Sequence, residues 1–295
     1  MFRSFSSRST LVFVAGAAAL SLSAVAKATD FATYVPNSYV AGSLAPFYVD
    51  NYGSPTVLNN APSGLTGVGT LYQGVVSVFN PVYDSDQLVE IGAGGAVTLQ
   101  FPAPINVASG LSVGVFSNAG LTDNASFPPY PSADEYFPEL LPSGEASTFG
   151  GGTAQVSVSS DNKTWVSLGT VTFNLPENFY ENAGPYDGVA PDPAIPADFG
   201  QPFAGTLASF DDETYAQIIS TLGNSAGGTW LDLSGTGLSQ IQFIQFSEPA
   251  DGSNFALQAV AAADPVTSVP EPASLTMLAA AGGLMLRRRS RTSPR

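Results

Sequence analysis

The sequence contains no cysteine and no histidine, and its only basic residue between Thr29 and Leu286 is Lys163. Without cysteine and histidine the chain cannot form a disulfide, a Ser-His-Asp triad, a cysteine nucleophile or the usual zinc sites. Catalysis by two carboxylates stays open, but no local pattern marks such a pair, so we expect no enzyme. All 24 acidic residues lie in that same stretch. A surface this anionic repels phosphate backbones, which argues against nucleic-acid binding.

The first 28 residues have the pattern of a secretory signal peptide. Arg3 and Arg8 precede an apolar run from Leu11 to Val25, and Ala26-Lys27-Ala28 supplies small residues at the spacing of a cleavage site. We therefore expect export, with a mature chain that begins at Thr29.

The C-terminal end combines three features in a fixed order. Two helix-breaking prolines stand in Val269-Pro270-Glu271-Pro272, an apolar run of 14 residues follows from Ala273 to Leu286, and Arg287, Arg288 and Arg289 come next. This apolar run is shorter than the roughly 20 residues that span a bilayer comfortably. Arginines favour the cytoplasmic face of a membrane. We therefore expect a transient intermediate in the inner membrane, with a simple short anchor as the alternative.

This C-terminal order resembles the PEP-CTERM sorting signal, which consists of a Pro-Glu-Pro motif, a hydrophobic helix and an arginine cluster. The resemblance covers the residues from Val269 to Arg291. It implies recognition by an exosortase-type membrane protease, removal of the tail and delivery to the cell surface or extracellular matrix. The predicted divisions are a signal peptide (1–28), a β-sandwich domain (29–262), a linker (263–268) and the sorting signal (269–295).

Short runs of alternating apolar residues recur along the body of the chain. In one of them, Val97, Leu99 and Phe101 fall on one face of an extended segment. About ten such strands predict an all-β fold, a jelly-roll type β-sandwich of two sheets. The predicted strands are 75–79, 96–101, 111–116, 154–159, 165–168, 171–173, 230–233, 241–246 and 256–260.

One segment has the period of a helix instead. Asp211 or Asp212 can cap its start and Gly223 can close its end. We predict a single short helix at about 211–222, packed on the sandwich. Its apolar residues fall at i, i+3, i+4 and i+7, namely Tyr215, Ile218, Ile219 and Leu222.

Three segments of the body are similar to motifs of surface proteins that have the PEP-CTERM signal. They are the strand pair from Val89 to Phe101, the strand from Val113 to Asn118 and the hairpin from Ala154 to Trp165. The same style of hairpin occurs in galactose-binding-like jelly rolls. The resemblance implies the fold and transfers no binding site.

Two long segments, 117–152 and 174–205, do not fit strands and contain five acidic residues each. Long loops in a compact domain are usually either functional or disordered. Tyr136, Tyr180 and Tyr186 lie in these loops, where exposed rings could stack on the sugars of an extracellular polysaccharide. The alternative is that the rings fold inward and anchor the loops.

Calcium is the one cofactor that the composition suggests, because it binds carboxylate, amide and carbonyl oxygens. The candidate ligands are Asp84 and Asp86 in one turn, and Asp251 and Asn254 in another. Neither turn has the twelve-residue EF-hand pattern, and Asp-rich turns are ordinary loop chemistry. The sequence therefore names these residues as candidates without choosing calcium over a purely structural role.

Two functional hypotheses follow. The first is an exported, non-enzymatic protein of the cell surface or extracellular matrix, sorted by its C-terminal signal. The alternative is a carbohydrate-binding module for extracellular polysaccharide, with or without calcium.

Overall fold

The computed structural model describes residues 30–44, 54–67, 74–107, 110–122, 145–250 and 254–264. The predicted signal peptide and sorting signal lie outside these residues. The strands are β1 (Thr33–Tyr34), β2 (Leu65–Thr66), β3 (Gly74–Val75), β4 (Val89–Ile91), β5 (Ala96–Asn106), β6 (Leu111–Ser117), β7 (Gly120–Leu121), β8 (Thr148–Phe149), β9 (Gly152–Ser159), β10 (Val166–Phe173), β11 (Thr229–Asp232), β12 (Gln240–Ser247) and β13 (Phe255–Ala262), and the helix is α1 (Tyr215–Leu222).

The strands form two main antiparallel sheets, which confirms the predicted all-β sandwich. The five-stranded sheet has the order β1-β5-β12-β9-β10, and the four-stranded sheet has the order β11-β6-β13-β4. The alternation predicted for β5 is present, because Val97, Leu99 and Phe101 are fully buried in the core between the sheets. Val113 and Val260 of the four-stranded sheet belong to the same core. Two short pairs, β2 with β3 and β7 with β8, complete the β-structure.

The four-stranded sheet is covered on both faces. Every residue of β13 is buried. Val260 faces the core between the sheets, whereas Ala259 and Ala261 belong to a second apolar cluster together with Phe116 and Ile218 of α1. The outer face of this sheet is therefore a second core and not a solvent-exposed surface, so a polar residue placed there is removed from water.

The predicted helix is confirmed, but it begins later than expected. Thr214 caps α1: its hydroxyl accepts from the Gln217 N–H (3.2 Å), and the Gln217 side chain accepts from the Thr214 N–H (2.9 Å). The prediction of Asp211 or Asp212 as the cap was wrong, because residues 207–210 form a separate 3-10 turn before the helix. Along 30–44, 54–67, 74–107, 110–122, 145–250 and 254–264, no helix is both long and apolar enough to cross a membrane.

Two strand predictions need correction. Within 75–79 only Val75 lies in a strand, because the Ser77 hydroxyl accepts from the Phe79 and Asn80 N–H groups and folds the following residues into a turn. The separate strands 165–168 and 171–173 are one strand, β10, which is interrupted by a bulge between Ser167 and Gly169. Local side-chain hydrogen bonds and a bulge are therefore responsible for both differences.

The long segment 174–205 is held in place by backbone hydrogen bonds. The Phe179 N–H donates to the Val76 carbonyl (3.1 Å), and the Ala197 N–H donates to the Phe179 carbonyl (2.8 Å). Gly227 forms a β-bridge with Glu177 at the start of this segment. The φ of Gly227 is +81°, and a Cβ added there would lie 2.3 Å from the Pro176 carbonyl oxygen, so this contact requires glycine. The segment thus covers the outer face of the four-stranded sheet instead of projecting as a free loop.

The two ends of the described domain lie side by side. The Ala262 N–H donates to the Asp30 carbonyl (3.0 Å), and Phe31 pairs with Ala261. Ala263 and Asp264, expected in the linker, donate backbone hydrogen bonds to Ser112 and Gly200. The packed domain therefore extends through Asp264.

Candidate functional site

A polar cavity of about 500 Å³ lies between the segment 57–67, the turn 84–87 and strand β13. Its volume falls in the range of small-molecule sites, which is roughly 300–1,000 Å³. Val57 and Leu65 contribute apolar surface to the wall. The polar side chains of the wall, among the described residues, are Asn60, Ser63, Asp84, Asp86, Gln87 and Gln258.

Asp84 is fixed in the wall by the neighbouring strand β2. It is 9% exposed, and its carboxylate accepts from the Gly67 N–H. Burial and the nearby Asp86 charge raise the pKa of Asp84, while the hydrogen bonds from Gly67 and Thr66 oppose that rise. Two carboxyl groups thus lie at one side of the cavity, which disfavours any negatively charged ligand.

Two glutamines of the wall have unused hydrogen-bonding atoms. The Gln87 Nε2 donates to the Leu65 carbonyl (2.8 Å), but its Oε1 is buried and accepts no hydrogen bond from the residues that the structure describes. Gln258 is only 3% exposed, and within the same residues neither its Oε1 nor its Nε2 has a hydrogen-bond partner. Burying an amide in this state costs free energy, so both side chains can gain from a polar ligand.

Glu177 lies behind Gln258 on the outer face of the four-stranded sheet. Its backbone pairs with Gly227, and its side chain is 1% exposed. Burial raises the pKa of the Glu177 carboxyl to about 8, and the adjacent Gln258 amide only partly opposes this rise. No hydrogen bond of good geometry reaches the carboxyl from any described residue. Glu177 is therefore protonated near neutral pH.

Glu90 and Glu248 are two further buried carboxyls. Their side chains are 2% and 5% exposed, and burial raises the pKa of each to about 7. The Asn254 amide lies beside Glu90 and opposes its shift. Between about pH 4.5 and pH 7, these three glutamates therefore bind more protons in the folded protein than in the unfolded chain.

The two turns that the sequence names as candidate metal sites lie in different environments. Asp84 and Asp86 both line the cavity, whereas Asn254 faces Glu90 at the start of β13. Asp251 lies outside the described residues. Within the described ranges, no group of three or more acidic side chains is arranged to hold a metal ion.

The predicted ligand-binding tyrosines have different environments. Tyr180 packs against Phe179, with ring centroids 4.8 Å apart, and against Gly64, so it helps to anchor the segment 174–205. Tyr186 is 43% exposed, and its ring lies 6.3 Å from that of Phe79. Tyr136 lies outside the described residues. Of the two tyrosines that the structure describes, Tyr186 is therefore the more exposed.

Sequence reasoning missed Gln258 and Glu177. Gln258 had a signal, since it is the one polar residue in the apolar strand Phe255–Ala262. Glu177 had no such signal, because its burial depends on the fold of a long segment without regular structure.

In comparisons with known proteins, no family model and no curated sequence matches this chain.

Proposed function

We propose that this chain is an exported, non-enzymatic protein of the cell surface or extracellular matrix. In this proposal an exosortase-type protease of the inner membrane removes the C-terminal tail, and the membrane contact is transient. One observation supports the proposal: Asp30 and Asp264, which stand close in sequence to the two predicted processing segments, both form backbone hydrogen bonds within the packed domain. Cleavage of both segments leaves every described core residue in place.

Replacing Pro270, Glu271 and Pro272 together by alanine tests the sorting proposal in the native host. We expect the variant to keep its tail and accumulate in the membrane fraction, whereas the unmodified protein reaches the surface. Mass spectrometry of the C-terminus and fractionation measure both effects. The matched control replaces Pro265, Thr267 and Ser268 by alanine and should be sorted normally. Normal cleavage of the first variant would contradict the proposal.

A second candidate function is a carbohydrate-binding module for extracellular polysaccharide. The polar cavity beside Gln258 favours it, because the wall offers carboxylate and amide groups together with apolar surface. We expect saturable signals on a glycan array, and a repeat of the array in a chelator distinguishes binding with calcium from binding without it. The Tyr186→Ala variant distinguishes stacking on the loop surface from binding in the cavity, since only the former loses affinity. Uniform silence of the array would rule out this candidate and leave the sorting proposal intact.

A further inference from the structure

We infer that the cavity between the segment 57–67, the turn 84–87 and β13 is a binding site for a small, neutral, polyhydroxylated ligand. The inference rests on the second candidate function and assigns it a site and a ligand class. The first supporting observation is Gln258, which is 97% buried in the wall with both amide atoms unpaired among the described residues.

The unpaired atoms of the wall specify the ligand chemistry. Gln258 has an unused donor and an unused acceptor, and Gln87 has an unused acceptor, counting hydrogen bonds from the described part of the chain. A hydroxyl group both donates and accepts, so a polyol can pair with all three atoms. A metal ion would pair only with the oxygens. At most one of the two Gln258 N–H groups can face the adjacent Glu177 carboxyl, so a metal ion would leave the other one buried without an acceptor. The wall therefore favours a ligand with several hydroxyl groups over a cation.

Charge excludes a further class of ligand. The wall contains Asp84 and Asp86 and, among the described residues, no basic side chain. An anionic sugar such as a uronate would meet two carboxylates with no compensating charge, whereas hydroxyl groups donate well to carboxylates. Val57 and Leu65 supply apolar surface for the C–H groups of a ring. The ligand is therefore neutral, with a polar edge and an apolar face.

The position of Asp86 makes it the best residue to test. Asp86 is exposed and lines the cavity, whereas the buried Asp84 also accepts the Gly67 hydrogen bond that helps to hold β2. Substitution of Asp86 therefore removes a ligand-facing carboxylate without opening the core. Ser85 is exposed in the same turn but is not part of the wall, so the Ser85→Ala variant is the matched control.

The experiment uses the full chain in a detergent without a sugar headgroup and measures saturation-transfer NMR. The probes are glucose, galactose, mannose and xylose, their methyl glycosides, and glucuronate. We expect signals from at least one neutral sugar and none from glucuronate. Asp86→Ala should weaken binding about tenfold or more, as expected for loss of a hydrogen bond to a charged group. Ser85→Ala should bind normally, and Gln258→Met, which keeps the volume of the side chain, should abolish the signal.

The methyl glycosides distinguish between two possible ligands, a free sugar and a sugar residue within a polysaccharide. Equal binding of a methyl glycoside and its free sugar indicates that the site accepts a residue within a polysaccharide, whereas loss of the glycoside signal indicates a free sugar. Three results would overturn the inference. The first is the absence of a signal from every neutral sugar, and the second is a signal that survives both Asp86→Ala and Gln258→Met. The third is that calcium, and no sugar, raises the stability of the protein and that Asp86→Ala abolishes this increase. If Gln258→Met does not fold, Asp86→Ala decides alone. Glycan binding that both variants leave unchanged would refute this site while the second candidate function stands.

Discussion

Replacing Glu177 by glutamine is expected to remove the largest single contribution, among the described carboxyls, to a loss of stability between about pH 5 and pH 8. The folded carboxyl has a pKa of about 8, against 4.5 for the ordinary group. The native state therefore binds an extra proton between these values, and the free energy of unfolding falls as the pH rises through this window. The contribution of Glu177 is fully present below pH 4.5. It decreases by on the order of 4 kcal/mol between pH 5 and pH 9.

Urea denaturation between pH 5 and pH 9 measures this effect. The Glu177→Gln variant should match the unmodified protein at pH 5 and exceed its stability at pH 9. A smaller slope of the same sign should remain up to about pH 7, because the pKa values of Glu90 and Glu248 are raised to about 7. Glu145→Gln makes the same chemical change at an exposed position and should leave the slope unaltered. Parallel pH profiles for the Glu177→Gln variant and the unmodified protein would show that the extra proton is not on Glu177.

Replacing Phe255 by alanine should destabilise the protein by about 3–5 kcal/mol. Phe255 lies in the four-stranded sheet and is fully buried. Its ring centroid is 4.6 Å from that of Phe173 and 5.7 Å from that of Phe246, two residues of the five-stranded sheet. Removing this ring leaves a cavity between the sheets and deletes two aromatic contacts that join them.

The measurement is the change in urea midpoint at pH 5, where Glu177 is protonated in the folded state. The control is Phe149→Ala, because Phe149 is 49% exposed and lies in the short strand β8. The control should cost roughly 1 kcal/mol or less, in line with surface substitutions. Equal losses from the two variants would mean that the ring of Phe255 does not join the sheets as described.

The strands and the helix could be predicted where one face is buried and local periodicity is strong. The alternation of Val97, Leu99 and Phe101 predicted β5, and the spacing of Tyr215, Ile218 and Leu222 predicted α1. The hairpin turn before β10 also followed from the sequence, since Asn162 adopts a φ of +58° that asparagine tolerates. In each case the information lies within a few neighbouring residues.

The second core and the cavity could not be predicted in this way. The cavity brings together residues near 60, 86 and 258, which are joined only through the pairing of distant segments. The burial of Glu177 depends on the segment 174–205 covering the outer face of β13, and no period in that segment indicates this. A sequence pattern of one buried face assumes that water covers the other face, and here a second core covers it.

The first and last residues that the structure describes lie next to each other, so the path of the chain between them is nearly closed. Asp30 and Ala262 are joined by a backbone hydrogen bond, and Asp264 lies only two residues further along the chain. A short linker between these ends would complete the ring, and the exposed turn of the β9–β10 hairpin, at Asp161–Thr164, offers a place to reopen it. We therefore expect a circularly permuted chain, joined at the present ends and opened in this hairpin turn, to form the same pairs of strands.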